Sequence, residues 1–154
     1  MHHQQALACY QELGTYWREE HLVTGASCGI PVSLQTLGDI ALAVGNDREA
    51  SGYYRNALEM ASDSSYVQLR LHVLLGPIKW LARKGNLEGA VELAALILHH
   101  PASVEETQSR TRQLLAELQR QLEPTAFAAA QERGQAQDLD ATVRELVSEL
   151  GKAE

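Results

Sequence analysis

Two adjacent histidine pairs, His2-His3 and His99-His100, and two cysteines, Cys9 and Cys28, are the residues best suited to hold a metal. Neighbouring residues on a helix point about 100° apart, so neither pair closes readily on one ion. Cys9, His21 and Cys28 could meet around zinc, but their spacing fits no zinc module. The simpler reading is surface histidines and reduced thiols. Asp39, Glu49, Glu59, Glu88 and Glu92 are scattered, as carboxylates on solvated helix faces are, and form no acid–base pair. Trp17 and Trp80 fall on apolar stripes and read as core. Lys79 and Arg83 stand four apart on one helix face. They either meet an acidic partner or pair with Asp39 and nearby glutamates. The chain has no GxxxxGK[ST], CxxC, HExxH or GxSxG segment. No catalytic residue, cofactor or metal is therefore expected, and an enzyme is the weakest of the function classes.

The elements that must position these residues are helices. Of 154 residues, 45% are hydrophobic and only 5% aromatic, with Ala and Leu dominant. Both lose little freedom in a helical backbone. No short run alternates in the manner of a strand. The formal net charge of −7 repels phosphate backbones, so direct nucleic-acid binding is not expected, and a basic or uncharged partner fits better. No apolar run approaches the roughly 20 residues of a membrane span. No signal peptide is apparent at the N-terminus, so the cytoplasm is the expected compartment.

Internal repetition organises the chain. Residues 37–58 and 77–98 superimpose at an offset of 40 residues: Gly45-Asn46 on Gly85-Asn86, and Ala50 on Ala90. Each segment reads as helix, tight turn, helix. Leu34, Leu37, Ala41 and Val44 make the first stripe, and Ala50, Tyr54, Ala57 and Leu58 the second. In the later unit Leu74, Ile78 and Leu81 are followed by Leu87, Ala90, Val91, Ala94, Ile97 and Leu98. This last helix is apolar on most sides and needs cover on both flanks. Each glycine should end its helix with positive φ, and Asn46 or Asp47 should cap the next. Pro77 should kink its helix near Leu74 or divide it in two. Residues 23–31, with two glycines and a proline, read as a loop. Residues 4–20, with Ala6, Tyr10, Leu13 and Trp17 on one stripe, read as the second helix of a unit whose first is absent. Beyond Pro101 three helices are expected. The first, 104–122, carries Thr111, Leu114, Leu115, Leu118 and Leu122. The second starts at Pro124, carries Phe127 and Ala130, and ends at Gly134. Asp138 caps the third, with Leu139, Val143, Leu146, Val147 and Leu150 inward. The organisation is thus 1–30, a truncated repeat and loop; 31–102, two helix pairs; and 103–154, terminal capping helices.

Leu34, Leu37-Gly38, Gly45, Ala50, Tyr54 and Ala57 resemble the tetratricopeptide (TPR) repeat, with Ala41 where tyrosine is common and Ser62 where proline is common. The second unit keeps Leu74, Gly85 and Ala90 and departs at Pro77-Ile78, Ala94 and Ile97. Its 40-residue period resembles the longer MalT-like variety. Phe127, Ala130, Gly134, Leu139, Val143 and Leu146 resemble the C-terminal end of large bacterial regulators of the MalT, LuxR and AfsR type. The resemblance implies an all-α fold: a TPR-like antiparallel helix-pair solenoid of seven or eight helices, a right-handed superhelix. It also implies a C-terminal piece of a larger regulator, acting as an interaction, scaffold or sensor module. Family positions place Val32, Gln35, Asp39, Leu42 and Ala43 on a concave groove, with His72, Leu75, Lys79, Ala82 and Arg83. Of these, Gln35, Asp39, Leu42, His72, Leu75, Lys79 and Arg83 are the expected binding residues. The expected partner is a protein, a peptide or another domain of the parent. The competing expectation is self-association as a homodimer through residues 4–20.

Overall fold

The computed structural model describes residues 25–63 and 66–152. The half-repeat reading of 4–20, the side chains of Cys9, His21 and Cys28, and His2-His3 lie outside the described residues. The described residues are all helical, with no strand among them: α1 (Gly25–Ala43), α2 (Asp47–Ser62), α3 (Val67–Val73), α4 (Leu75–Arg83), α5 (Leu87–His99), α6 (Glu105–Gln121), α7 (Pro124–Gln135) and α8 (Leu139–Lys152).

Both Gly-Asn turns are built alike. Gly45 and Gly85 have φ of 86° and 89°, the left-handed region that an L side chain rarely enters. Around the first, the Asn46 N–H donates to Ala41 O at 2.8 Å and the Gly45 N–H to Leu42 O at 3.1 Å. Around the second, Asn86 donates to Leu81 O at 2.9 Å and Gly85 to Ala82 O at 3.1 Å. This is the Schellman closure of a helix C-terminus. The same asparagines open the next helices: Asn46 Oδ1 accepts from the Glu49 N–H at 3.3 Å and Asn86 Oδ1 from the Gly89 N–H at 3.0 Å. One dipeptide therefore both stops a helix and starts its partner, which holds α1 against α2 and α4 against α5.

Pro77 divides its helix as its chemistry requires. It has no N–H to give to Val73 O, and the backbone breaks at Leu74 between α3 and α4. The bonds on either side survive, Leu74 N–H to Arg70 O and Ile78 N–H to Leu74 O, both at 3.3 Å.

Three sequence expectations are corrected. Gly25–Pro31 is not a loop but the start of α1. Pro31 sits inside that helix and is buried, so packing outweighs the lost hydrogen bond; Ser33 Oγ donates to Gly29 O at 2.7 Å close by. Val44 leaves the α1 stripe and is 70% exposed, because the chain is already turning toward Gly45. Gly134 does not end α7, which runs on to Gln135. Its missing side chain instead lets α7 lie against α5, where a Cβ would strike the Glu92 carbonyl.

α1, α4 and α6 lie side by side in one layer, with α2 and α5 packed behind them. α7 covers the back of α5, and α8 returns to cover α2. α5 is thus enclosed by α4, α6 and α7, which explains its seven buried residues, Ala90, Val91 and Leu93–Ile97. One core runs from Leu34 to Leu150 through both helix pairs and the last three helices. Asp138 caps α8, its Oδ2 accepting from the Ala141 N–H at 2.9 Å.

The two C-terminal glycines predict opposite outcomes. Gly134→Ala must push α7 off α5 and should cost about 1–3 kcal/mol. Gly151→Ala, whose Cβ would meet only Arg55 at 3.6 Å, should be neutral or stabilise by up to about 1 kcal/mol through helix propensity. Thermal melts of both variants against the parent decide it; equal melting would contradict the α5–α7 packing.

Candidate functional site

The side chains that connect the layers also build a hollow among the described residues. Tyr54 of α2 is fully buried, its ring against the bare backbone of Gly38 on α1 and Gly76 on α4. A Cβ at either glycine would overlap the ring. The phenol must still bond, and its O–H donates to Asp39 Oδ1 at 2.6 Å. Burial, then the charge and hydrogen bond of Asp39, push the Tyr54 pKa far above its ordinary value. That shift favours the protonated phenol, the form that donates to Asp39. The other Asp39 oxygen accepts from Lys79 Nζ of α4 at 3.1 Å. Asp39 and Lys79 stand 40 residues apart, the offset between the two Gly-Asn turns, so the ion pair ties the first helix pair to the second.

In front of this node, α1, α4 and α6 enclose a cleft of about 730 Å³. That is within the usual range of ligand sites. Gln35 and Asp39 line it from α1, and Leu75 and Lys79 from α4. These are four of the seven expected binding residues. The other three lie elsewhere. Leu42 is buried in the core. His72 faces α6, with Nδ1 3.3 Å from Thr107 Oγ1. Arg83 is at the end of α4, its Nε donating to Asp47 Oδ1 at 2.7 Å. Lys79 and Arg83 are thus both paired with carboxylates of the same chain.

The third wall was missed. Glu105, Glu106, Ser109, Arg110, Gln113, Leu114 and Glu117 of α6 line the cleft. Glu106, Arg110, Gln113 and Glu117 follow the spacing of a single helix face, a signal present in the sequence. The apolar stripe of residues 104–122 points to a capping helix and says nothing of what its polar face meets. Thr111, Leu115 and Leu118 of that stripe are indeed buried, with Leu114 and Leu122 half-buried.

The cleft is acidic: Asp39, Glu105, Glu106 and Glu117 against Lys79 and Arg110. Glu106 pairs with Arg110 at 3.2 Å and Glu105 with Arg112 at 2.9 Å, but all four side chains are more than half exposed. Such pairs contribute little and exchange easily. No ion pair involves Glu117 among the described residues. Gln35 is 5% exposed, and its Oε1 is buried without a hydrogen-bond partner. No group of three His, Cys, Asp or Glu suited to a metal occurs among the described residues, and none of their helices is long and apolar enough to cross a membrane. Trp80 is core, buried with Lys84 Nζ 4.2 Å from its ring centroid. A smaller hollow between α5, α7 and α8 is lined by Arg133, which bridges Glu88 and Glu92.

Two predictions test this geometry. Tyr54→Phe removes a bond to a charged acceptor and should cost about 1–2 kcal/mol in denaturant unfolding. A cost near zero would mean that Asp39 does not hold the phenol. His72 gives a pH signature. Burial first, then the Arg110 charge, lower its pKa below 6.5, with Glu106 and Asp39 opposing. Between the two pKa values the unfolded state binds more protons, so stability rises with pH in that window. The fold should be fully stable above 6.5 and weaken as pH falls below it. His72→Leu should flatten that fall, as read from melts across the window; parallel curves would remove His72 as its source.

No family model matches the chain, and neither a curated protein nor a solved structure matches it.

Proposed function

We propose that the chain is a protein-interaction module that holds an extended peptide or partner segment in the cleft between α1, α4 and α6. The observation that carries this reading is the convergence of Gln35, Asp39, Leu75 and Lys79 on one hollow. Three helices supply an apolar floor at Leu75 and Leu114 and a polar rim, the mixture by which grooves bind and orient chains. The run from Glu106 to Glu117 spans about 16 Å at helical rise, the length of about five extended residues. The reading extends to a TPR-like stack of helix pairs within a larger bacterial regulator of the MalT, LuxR or AfsR type. Two identically closed Gly-Asn turns at a 40-residue offset support the repeat. The return of α8 onto α2 departs from a strictly neighbour-to-neighbour stack. Nothing in this reading needs a reaction or a cofactor.

One observation favours self-association as a second reading. Ile40 on α1 and Val44 just past its end are 44% and 70% exposed. Light scattering separates the two: a monomer that stays monomeric in Val44→Asp leaves the cleft as the interaction site, and a dimer broken by Val44→Asp favours assembly.

Panning a phage-displayed library of random dodecapeptides on the full chain tests the cleft. Peptides recovered should bind at least about tenfold more weakly to Gln113→Trp, which fills the cleft from its exposed wall. Recovery of no peptide, or of peptides indifferent to that change, would place the interaction elsewhere.

A further inference from the structure

The cleft has a charge and a hydrogen-bond deficit that point the same way. Glu117 lacks an ion-pair partner among the described residues, and the pairs of Glu105 and Glu106 are exposed enough to reopen. An incoming cation can therefore take a carboxylate without forcing a buried charge to stand alone. Gln35 supplies the second requirement. Its side chain lines the cleft, and its Oε1 is buried with no hydrogen-bond partner. A buried acceptor left unmade is costly. Gln35 thus brings an unmet acceptor to the lining of the cleft. There it accepts an N–H from whatever lies in the cleft. A ligand that relieves both deficits carries positive charge and N–H donors. An acidic peptide brings N–H donors but no positive charge, and it meets net negative walls.

We infer that the cleft takes a basic peptide segment, one whose Lys or Arg side chains meet the α6 carboxylates around Glu117 while its main-chain N–H bonds to Gln35. The inference rests on the cleft being the interaction site. Of the chain's own cations at the cleft, Lys79 is held by Asp39, and Arg110 faces Glu106 and leaves Glu117 without an ion pair among the described residues. The apolar floor at Leu75 and Leu114 receives the methylene stems of such side chains.

Fluorescence anisotropy with three labelled dodecapeptides, Lys/Ala/Gly, Ser/Ala/Gly and Glu/Ala/Gly, titrated with the full chain, tests it. The Lys peptide should bind about tenfold tighter than the Ser peptide and lose that advantage at high salt. Glu117→Lys should weaken it about tenfold, whereas Glu145→Lys, an equal charge change outside the cleft, should alter it less than about twofold. Gln35→Leu should weaken all binding while the apo chain melts no lower than the parent, since an unsatisfied buried acceptor has been removed. Equal losses from Glu117→Lys and Glu145→Lys would reduce the effect to diffuse attraction by an acidic surface and overturn the inference. Equal or tighter binding of the Ser or Glu peptide, still abolished by Gln113→Trp, would overturn the basic preference and leave the cleft as the site. Binding of every peptide unchanged by Gln113→Trp would overturn the cleft reading and the inference together.

Discussion

The Tyr54 phenol has to be buried and hydrogen-bonded at once, and the rest of the arrangement follows from how that is met. Its ring occupies space that only two glycines leave free, Gly38 on α1 and Gly76 on α4. Its O–H fixes Asp39, and Asp39 fixes Lys79. Three helices from two repeats are thereby locked by one side chain. A charged acceptor suits this place because Asp39 keeps partial contact with water, at 30% side-chain exposure, and so avoids the desolvation that a fully buried carboxylate suffers. Tyr54 has no equivalent in the second unit, where Ala94 stands at the same offset. Ala94 is fully buried on α5, which α4, α6 and α7 enclose.

Core and cleft share residues at this node. Asp39 and Lys79 are wall residues of the cleft and also the polar end of the Tyr54 contact. Any change to them alters both packing and recognition. α6 is different. Its apolar stripe of Thr111, Leu115 and Leu118 carries the stability, and its opposite edge from Glu106 to Glu117 is exposed. Substitutions there reach the cleft without reaching the core. The rigid side of the cleft is therefore supplied by the repeats and the adjustable side by the helix that follows them.

Much of the fold was legible because it depends on local rules. A glycine followed by asparagine between two apolar stripes states both a stop and a start, and both turns form that way. Pro77 states a missing donor, and the helix divides one turn before it. The failures occur where tertiary contact overrides the local rule. Gly25–Pro31 has loop composition but is helical because its proline is buried among other side chains. Gly134 resembles a helix stop, yet its role is set by Glu92, 42 positions earlier, which no local pattern displays. Of the residues expected from the alignment, Gln35, Asp39, Leu75 and Lys79 line one cleft, while Leu42 is buried in the core, His72 lies against Thr107 of α6 and Arg83 pairs with Asp47.

The sign of the cleft was the least legible feature. Lys79 and Arg83 are its most visible charges in sequence, and alone they describe a positive spot. Neither is available, because each already satisfies an aspartate from the first repeat. What remains to meet a ligand comes from α6, where carboxylates outnumber arginines among the lining residues. A surface charge counts toward recognition only after its internal partners are subtracted, and that subtraction requires contacts 36 and 40 residues apart in the chain. The net charge of −7 is the broader signal in the sequence, and the exposed edge of α6 facing the cleft carries part of that excess.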